Sequence, residues 1–149
     1  MATIRPPRSA DSRTRTRGSE VRVHLDTDFL VYALSIAGPE RRRLHELAKT
    51  EDVIEMSAVA WYELTRGPRN PEQIAVARSF FADEGGIVPF SEDLATAAAE
   101  VFRKLGSPRK RGADIAIGVT ASTLGAVLMT RNKRDFAGIP GLEIEVVSG

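Results

Sequence analysis

Asp26 and Asp28 end the stretch Val21–Asp28, whose sequence is VRVHLDTD. The alternating Val, Val and Leu predict a β-strand, and a helix follows it. Ligands of open α/β folds bind at the carboxyl edge of the sheet, so these two carboxylates stand where a binding site forms. Buried carboxylates repel one another unless a positive charge lies between them. The pattern therefore indicates a site for a divalent cation.

Three further segments are expected to bring oxygen ligands to the same edge. Glu63 lies on the helix after the second predicted strand, Asp114 lies in the first turn of a later helix, and Asn132 follows the predicted strand 126–130. The chain has no cysteine and only two histidines, so the donor set suits Mg²⁺ or Mn²⁺ rather than zinc. Such an ion keeps several waters and takes phosphate oxygens, which points to phosphodiester chemistry.

Most of these residues also have an ordinary structural interpretation. Asp28 could be the N-cap of the following helix, and Asp114 could be a first-turn aspartate that the helix dipole favours. Glu63 could be a solvated helix residue, and Asn132 could be a turn residue. Asp26 is harder to explain in this way, because the end of a strand needs no carboxylate. The joint placement of the residues, rather than any one of them, supports the metal site.

Strands and helices alternate from Val21 onward in the order β-α-α-β-α-α-β-α-α-β-β. This order predicts one α/β domain over residues 21–149, with a mostly parallel, Rossmann-like sheet of about four to five strands flanked by helices. The predicted strands are 21–26, 53–56, 87–90, 126–130 and 143–147. The predicted helices are 29–37, 39–48, 57–66, 71–84, 91–106 and 112–125.

Composition is ordinary for a globular domain, with 42% apolar and 28% charged residues and a net charge of +1. Residues 1–20 hold five arginines against Asp11 and Glu20, so 16 of the 21 basic and 18 of the 20 acidic residues lie elsewhere, with net charge −2. We expect residues 1–20 to be a disordered basic tail, because they cannot bury enough apolar surface to become ordered.

No membrane or secretory segment is expected. Residues 1–20 lack the apolar core of a secretory signal, and we predict a cytoplasmic protein. The uncharged stretch 115–130 is shorter than the roughly 20 residues that span a bilayer. Thr120, Ser122 and Thr123 also dilute it, and Gly125 divides it into a helical and a strand-like half. We therefore expect this stretch to lie in the core.

The acidic residues lie in four motifs that together resemble those of the PIN-domain ribonucleases, particularly the VapC-type toxins of bacterial toxin–antitoxin pairs. The motifs are Leu25–Asp28 (LDTD), Ala60–Leu64 (AWYEL), Gly112–Ile117 (GADIAI) and Thr130–Phe136 (TRNKRDF). Each motif is short, but the four occur in the right order and spacing over residues 22–147, which makes the resemblance specific.

The resemblance implies a metal-dependent endoribonuclease that hydrolyses RNA phosphodiester bonds with a metal-activated water. Asp26, Glu63 and Asp114 would be the core acidic residues that hold Mg²⁺ or Mn²⁺. The fourth acidic position of many members falls at Asn132, which retains a carbonyl oxygen but lacks the negative charge. Asp135 could compensate, although we expect it to point elsewhere because it begins a turn. Asp28 and Thr130 are further polar candidates.

The implied toxin would bind RNA and a protein partner. The RNA-contacting candidates flank Asp114 and the last motif; they are Arg109, Lys110, Arg111, Arg131, Lys133 and Arg134, with Arg66 and Arg69 as weaker ones. The cognate partner would be a small antitoxin whose C-terminal segment covers the acidic groove and inserts an arginine. A homodimer is also implied. Its apolar surface could include Trp61, Tyr62, Phe80 and Phe81, although most of these are expected to pack in the core.

Two alternatives remain open. The pattern Asp26-Thr27-Asp28 after a strand also resembles the start of a haloacid-dehalogenase-type phosphatase, in which the first aspartate is a nucleophile. That family needs a closely spaced downstream acidic pair, whereas the first acidic residue after Asp114 is Asp135. The other alternative is a PIN-like domain that binds RNA or a partner without efficient cleavage, which Asn132 at the fourth position would favour. P-loop, dinucleotide and GxSxG motifs are absent.

Overall fold

Five parallel strands form one sheet in the computed structural model, which describes residues 21–147. The strands are β1 (Arg22–Leu25), β2 (Val53–Ser57), β3 (Ile87–Val88), β4 (Val127–Thr130) and β5 (Glu143–Val146). Their order across the sheet is β3-β2-β1-β4-β5, and every pairing is parallel. The predicted fold class is confirmed, whereas the tail proposed for residues 1–20 lies outside the described residues.

The strand order reverses between β1 and β4. The chain places β1, β2 and β3 side by side in one direction, and then returns past β1 to add β4 and β5. Leu25 of β1 pairs with Met129 of β4, and the backbone N–H of Asp26 donates to the carbonyl oxygen of Met129 at 3.0 Å. Because ligands of doubly wound sheets bind where the strand order reverses, the ends of β1 and β4 mark the expected site.

Six helices join these strands within residues 21–147. They are α1 (Thr27–Ser35), α2 (Pro39–Ala48), α3 (Ala58–Thr65), α4 (Pro71–Arg78), α5 (Glu92–Lys104) and α6 (Gly112–Thr123). Short 3₁₀ turns cover Arg109–Arg111 and Lys133–Phe136. Side-chain caps set the beginnings of four helices, α1, α3, α4 and α5. Two of these caps are the predicted serines: Ser57 accepts from the N–H of Val59, and Ser91 accepts from the N–H of Leu94.

Helix α4 ends at Arg78, six residues before the predicted end at Glu84. The guanidinium of Arg78 donates to the carbonyl oxygens of Phe81, Ala82 and Asp83. These hydrogen bonds satisfy carbonyl oxygens of the irregular segment after α4, so the chain can leave the helix at Arg78 without losing backbone hydrogen bonds there. Phe81 then packs in the core.

Helix α6 carries Asp114 to the site and is the most buried helix. Residues Ile115–Ala121 are all buried, as are Ala126 and residues 128–130, so most of the uncharged stretch 115–130 lies in the core, as expected. Gly118 lies so close to its neighbours that an added Cβ would stand 2.5 Å from a side-chain carbon of Ile139. This close approach fixes α6 against the segment after β4, and with it the position of Asp114 in the first turn.

Candidate active site

Asp26 caps helix α1 and lies at the edge where the strand order reverses. Its Oδ1 accepts a hydrogen bond from the backbone N–H of Thr27 at 2.8 Å. The alternative that Asp28 is the N-cap is therefore wrong, and so is the view that Asp26 has no structural assignment. Asp28 instead lies exposed in the first turn of α1.

Thr130, at the end of β4, holds the second oxygen of Asp26. The Thr130 hydroxyl donates to Oδ2 of Asp26 at 2.8 Å and accepts from the backbone N–H of Asn132 at 3.0 Å. Thr130 is fully buried, so its hydroxyl geometry is fixed. The Asp26 carboxylate thus has one donor from its own helix and one from the neighbouring strand.

The environment of Asp26 disfavours its charged form in spite of these two donors. Burial, the largest cause, and the negative charges of Asp28 and Asp114 together raise the pKa of Asp26 to about 7, against the lowering effect of the hydrogen bonds from Thr130 and Thr27. A carboxylate with such a pKa lacks a compensating cation. The side chain is 7% exposed.

Thr27 positions Glu63, a contact that the sequence analysis missed. The Thr27 hydroxyl donates to Oε1 of Glu63 at 2.9 Å and approaches the carbonyl oxygen of Ala60 at 3.3 Å. Thr27 begins α1 and Glu63 lies on α3, so the bond joins two helices that follow different strands. In the sequence, the only indication of this contact is that Thr27, a hydroxyl residue, lies between two aspartates.

Asp114 faces the same group of carboxylates from the first turn of α6. Burial, the largest cause, and the charges of Asp135, Glu63 and Asp28 together raise the pKa of Asp114 to about 6, and the cation of Arg111 partly offsets them. Asp135 is the strongest of these charges. The expectation that Asp135 points elsewhere is therefore wrong, because the 3₁₀ turn Lys133–Phe136 turns it towards Asp114.

Asn132 occupies a different place from the one predicted for a catalytic residue. Its side chain is exposed, and its Nδ2 donates to Oδ2 of Asp135 at 3.0 Å. It therefore contacts the acidic group through Asp135. The fourth carboxylate near the acidic group is therefore that of Asp135, three residues after the position that the motif comparison indicated.

These side chains surround one open cavity of about 370 Å³, here called the acidic cavity. Five carboxylates, two arginines and two residues of α1 line it: Asp26, Thr27, Asp28, Val31, Glu63, Arg66, Arg69, Asp114 and Asp135. Among the residues that the structure describes, Asn132 does not line the acidic cavity. The chain thus brings acidic residues from four separate segments to the carboxyl edge of the sheet.

The donor set of the acidic cavity fits a hydrated divalent cation. Within residues 21–147, no three acidic or histidine side chains are close enough together to hold one ion directly. Mg²⁺ is usually held by one or two carboxylates and several waters, so this spacing matches it better than a cage of protein ligands. The raised pKa values of Asp26 and Asp114 indicate the uncompensated negative charge that such an ion would neutralise.

Two of the predicted RNA-contacting arginines are used inside the protein. Arg131 donates through Nε to Oε2 of the buried Glu40 at 2.9 Å, and its guanidinium carbon lies 3.5 Å from the ring centroid of Tyr32. Arg111 donates to the backbone carbonyl oxygens of Asp135 and Ala137. Both arginines therefore hold the segment after β4 in place, and their contact with RNA stays a prediction.

The remaining predicted cations are exposed, and the weaker candidates prove to be the nearest. Arg109, Lys110, Lys133 and Arg134 are exposed in the two 3₁₀ turns. Arg66 and Arg69 line the acidic cavity itself, and Nη1 of Arg69 is held at 2.8 Å by the carbonyl oxygen of Leu64. These two are the arginines that line the acidic cavity.

The aromatic candidates divide as expected between core and surface. Phe81 is buried, and Trp61 and Phe80 are partly buried against the core. Trp61 meets Phe81 edge-on with ring centroids 6.4 Å apart. Tyr62 remains on the surface.

A family comparison agrees with this geometry. The model of the PIN domain matches residues 23–142, which is most of the 149-residue chain. The chain belongs to the PIN domain family. A search of the curated proteins found no match. Within residues 21–147 of this PIN domain, every helix is too short or too polar to cross a membrane.

Solved structures similar to this PIN domain include toxin–antitoxin complexes. A chain of VapBC2 from Rickettsia felis, bound to a promoter DNA fragment, superposes with a TM-score of 0.67 at 23% identity, covering 86% of this chain and 100% of that one. A chain of DNA-bound VapBC from Salmonella typhimurium gives 0.66 at 23%, with coverages of 85% and 98%. A chain of a toxin–antitoxin complex from Klebsiella pneumoniae gives 0.60 at 28%, with coverages of 80% and 94%.

Proposed function

We propose that this PIN domain is a metal-dependent endoribonuclease and the toxin of a type II toxin–antitoxin pair. The observation that carries the proposal is the convergence of Asp26, Glu63, Asp114 and Asp135 on the acidic cavity at the reversal of strand order. Buried carboxylates with raised pKa values, such as Asp26 and Asp114, are a common property of functional sites.

Asp26 and Asp114 are the residues that would hold Mg²⁺ or Mn²⁺, with Glu63 and Asp135 reaching it through water. When bound, the cation would polarise the scissile phosphate and lower the pKa of an attacking water. Thr27 and Thr130 keep the Glu63 and Asp26 carboxylates in fixed orientations by the bonds described above. Such outer hydrogen bonds tune and orient metal ligands.

Glu63 would orient the attacking water. Its Oε1 accepts from Thr27, so the orientation of the carboxylate is set before substrate binds. Arg66 and Arg69 stand on the same cavity wall and supply positive charge to the phosphate oxygens. Arg109, Lys110, Lys133 and Arg134 are further out and would follow the RNA backbone, where contacts are electrostatic and depend on salt.

The mechanism is tested by the chemistry of the product. Attack by water leaves a linear phosphate, whereas attack by the ribose 2′-hydroxyl leaves a cyclic phosphate. Cleavage in heavy-oxygen water should therefore place one solvent oxygen on the terminal phosphate, which mass spectrometry detects. A cyclic phosphate without solvent oxygen would contradict the assigned roles of Asp26, Asp114 and Glu63.

The toxin assignment rests on the toxin–antitoxin complexes among the similar structures, one of them 28% identical. We propose that a small antitoxin places its C-terminal segment over the acidic cavity and inserts an arginine among the carboxylates. An adjoining groove of about 470 Å³ could take apolar side chains of the same segment, since it includes Val31, Leu34 and Val76 and shares Val31 and Arg69 with the acidic cavity.

The toxin role has its own test. Expression of the wild-type chain in a bacterial host should arrest growth, and Asp114→Asn should relieve the arrest at equal protein level. Co-expression of the cognate antitoxin should also relieve it and should co-purify with the chain. The family resemblance further implies a homodimer, which mass measurement of the purified protein in solution would test.

A PIN domain that binds RNA without cutting it is the second candidate. The observation that favoured it was Asn132 at the fourth acidic position. Asp135 supplies a carboxylate to the acidic cavity, so the asparagine at position 132 is no longer a strong argument against cleavage. RNA binding with no metal-dependent cleavage by well-folded protein would nevertheless support this candidate.

A further inference from the structure

Tyr62 exposes an aromatic ring beside the acidic cavity. Its side chain is 59% exposed, the highest value among the exposed large hydrophobic side chains of residues 21–147. Its neighbour Trp61 packs against the core. The other tyrosine, Tyr32, is covered by the guanidinium of Arg131. Exposure is therefore particular to Tyr62 and is not shared by the aromatic residues around it.

Arg66 connects this ring to the acidic cavity. It follows Tyr62 by one helical turn, and its guanidinium carbon lies 5.1 Å from the centroid of the Tyr62 ring. The same Arg66 side chain lines the acidic cavity together with Glu63. An aromatic ring (Tyr62), a site carboxylate (Glu63) and a cation (Arg66) thus lie within five residues at the carboxyl end of α3. A ligand that uses all three must carry a planar group next to a phosphate.

We propose that Tyr62 and Arg66 form a stacking platform for an unpaired RNA base next to the scissile phosphate. The proposal rests on the proposed nuclease function and specifies its substrate as single-stranded RNA. Base stacking on an exposed aromatic ring tolerates any base, because each base has a π-face. A base within a duplex is already stacked on its neighbours, so the platform favours loops and single strands. Arg66 serves both the ring and the adjacent phosphate.

The test compares Tyr62→Leu with Tyr62→Phe, which keeps the ring. Both are made in the Asp114→Asn background so that RNA is not consumed, and Mg²⁺ is present throughout. The probe is a short single-stranded RNA with a fluorescent purine analogue placed at successive positions. The Phe variant should bind like its parent and quench the analogue at one position. The Leu variant should bind about tenfold more weakly and leave the analogue unquenched.

A second variant checks the cation. Arg66→Gln should weaken binding of the same RNA and reduce the dependence of affinity on salt. Thermal unfolding of each variant checks that it is folded, and mass measurement in solution checks its assembly. Equal affinity and quenching in the Leu and Phe variants would overturn the platform, as would a Leu variant that changes only the assembly.

The platform and the nuclease can fail separately. Metal-dependent cleavage by the wild-type protein with no effect of Tyr62→Leu on affinity or KM overturns the platform and leaves the nuclease intact. Quenching that depends on the Tyr62 ring, without any cleavage by the wild-type protein, overturns the nuclease and supports the platform. No binding of single-stranded RNA by the parent protein overturns the platform.

Discussion

The Thr130 hydroxyl donates to Oδ2 of Asp26 at 2.8 Å, joining the ends of β4 and β1 where the strand order reverses. This bond favours the charged form of Asp26 and lowers its pKa, whereas burial raises it. The balance between the two effects decides at which pH Asp26 is ionised. Thr130 therefore lowers the pH at which the Asp26 carboxylate becomes charged.

Replacing Thr130 by Val should move the acidic limb of cleavage to higher pH. The isosteric side chain removes the donor to Asp26, so the pKa of Asp26 rises further. The lost buried hydrogen bond should also lower the free energy of unfolding by about 1 kcal/mol. Thr130→Ser keeps the hydroxyl and is the control. An acidic limb of the pH–rate profile that stays in place in the Val variant would contradict this role of Thr130.

Asp114→Asn should abolish cleavage without destabilising the metal-free protein. The substitution removes repulsion from Asp135, Glu63 and Asp28, which together with burial raise the pKa of Asp114. In EDTA at about pH 8, the free energy of unfolding by urea should be equal to that of the wild type or higher by up to about 1 kcal/mol. The exposed Asp83 provides the control Asp83→Asn. Clear destabilisation in EDTA would make Asp114 a structural residue of α6.

The metal-free protein should become more stable as pH falls from about 8 to about 5. The folded pKa values of Asp26 and Asp114, about 7 and about 6, exceed the usual aspartate value of 3.8. The folded state therefore binds more protons than the unfolded state over this range, and stability decreases as pH rises. Added Mg²⁺ should raise the unfolding temperature at about pH 8 more than at about pH 5, because protons compete with it.

The predicted decrease in the stability of the metal-free protein with rising pH applies above about pH 5. Burial alone would raise the pKa of Glu55, but hydrogen bonds from His24 and Arg22 outweigh it and hold that pKa below the usual value. Stability from Glu55 is lost at more acidic pH, so it does not mask the effect above about pH 5. Unfolding temperatures in EDTA that rise steadily from about pH 5 to about pH 8 would contradict the charge repulsion assigned to the acidic cavity.

Asp135 should be more important for cleavage than Asn132. Asp135 lines the acidic cavity, whereas Asn132 reaches it only through its bond to Asp135. We expect Asp135→Asn to lower kcat/KM at least about tenfold and Asn132→Ala to lower it only a few-fold. The measurement is steady-state cleavage in Mg²⁺. The reverse ranking would restore Asn132 as the fourth site residue, as the motif alone suggested.

The element order and the main acidic residues could be predicted because they depend on local patterns. Apolar alternation before Asp26, the serine caps and the buried residues after Asp114 each determine an element from its own sequence. The short β3 and the early end of α4 could not be predicted in this way. The carbonyl contacts of Arg78 decide the latter, and sequence spacing does not reveal them.

The details of the site depend on contacts between distant segments. Whether Arg131 is free depends on Glu40, which lies 91 residues earlier in the chain. The direction of Asp135 depends on a 3₁₀ turn and on Arg111. A sequence motif gives the residue types near a site, but only packing decides which carboxylate enters the cavity and which cation is already paired.

The most direct test of the central claim is cleavage of a mixed RNA pool by purified protein with Mg²⁺, with Mn²⁺ and with EDTA, alongside Asp26→Asn. Asp26 is chosen because it lies at the reversal of strand order and is the most buried carboxylate of the acidic cavity. The account predicts cutting with either metal, none in EDTA, and none by the folded variant. Cutting that persists in EDTA or in the variant, or no cutting by folded wild-type protein with either metal, would contradict it.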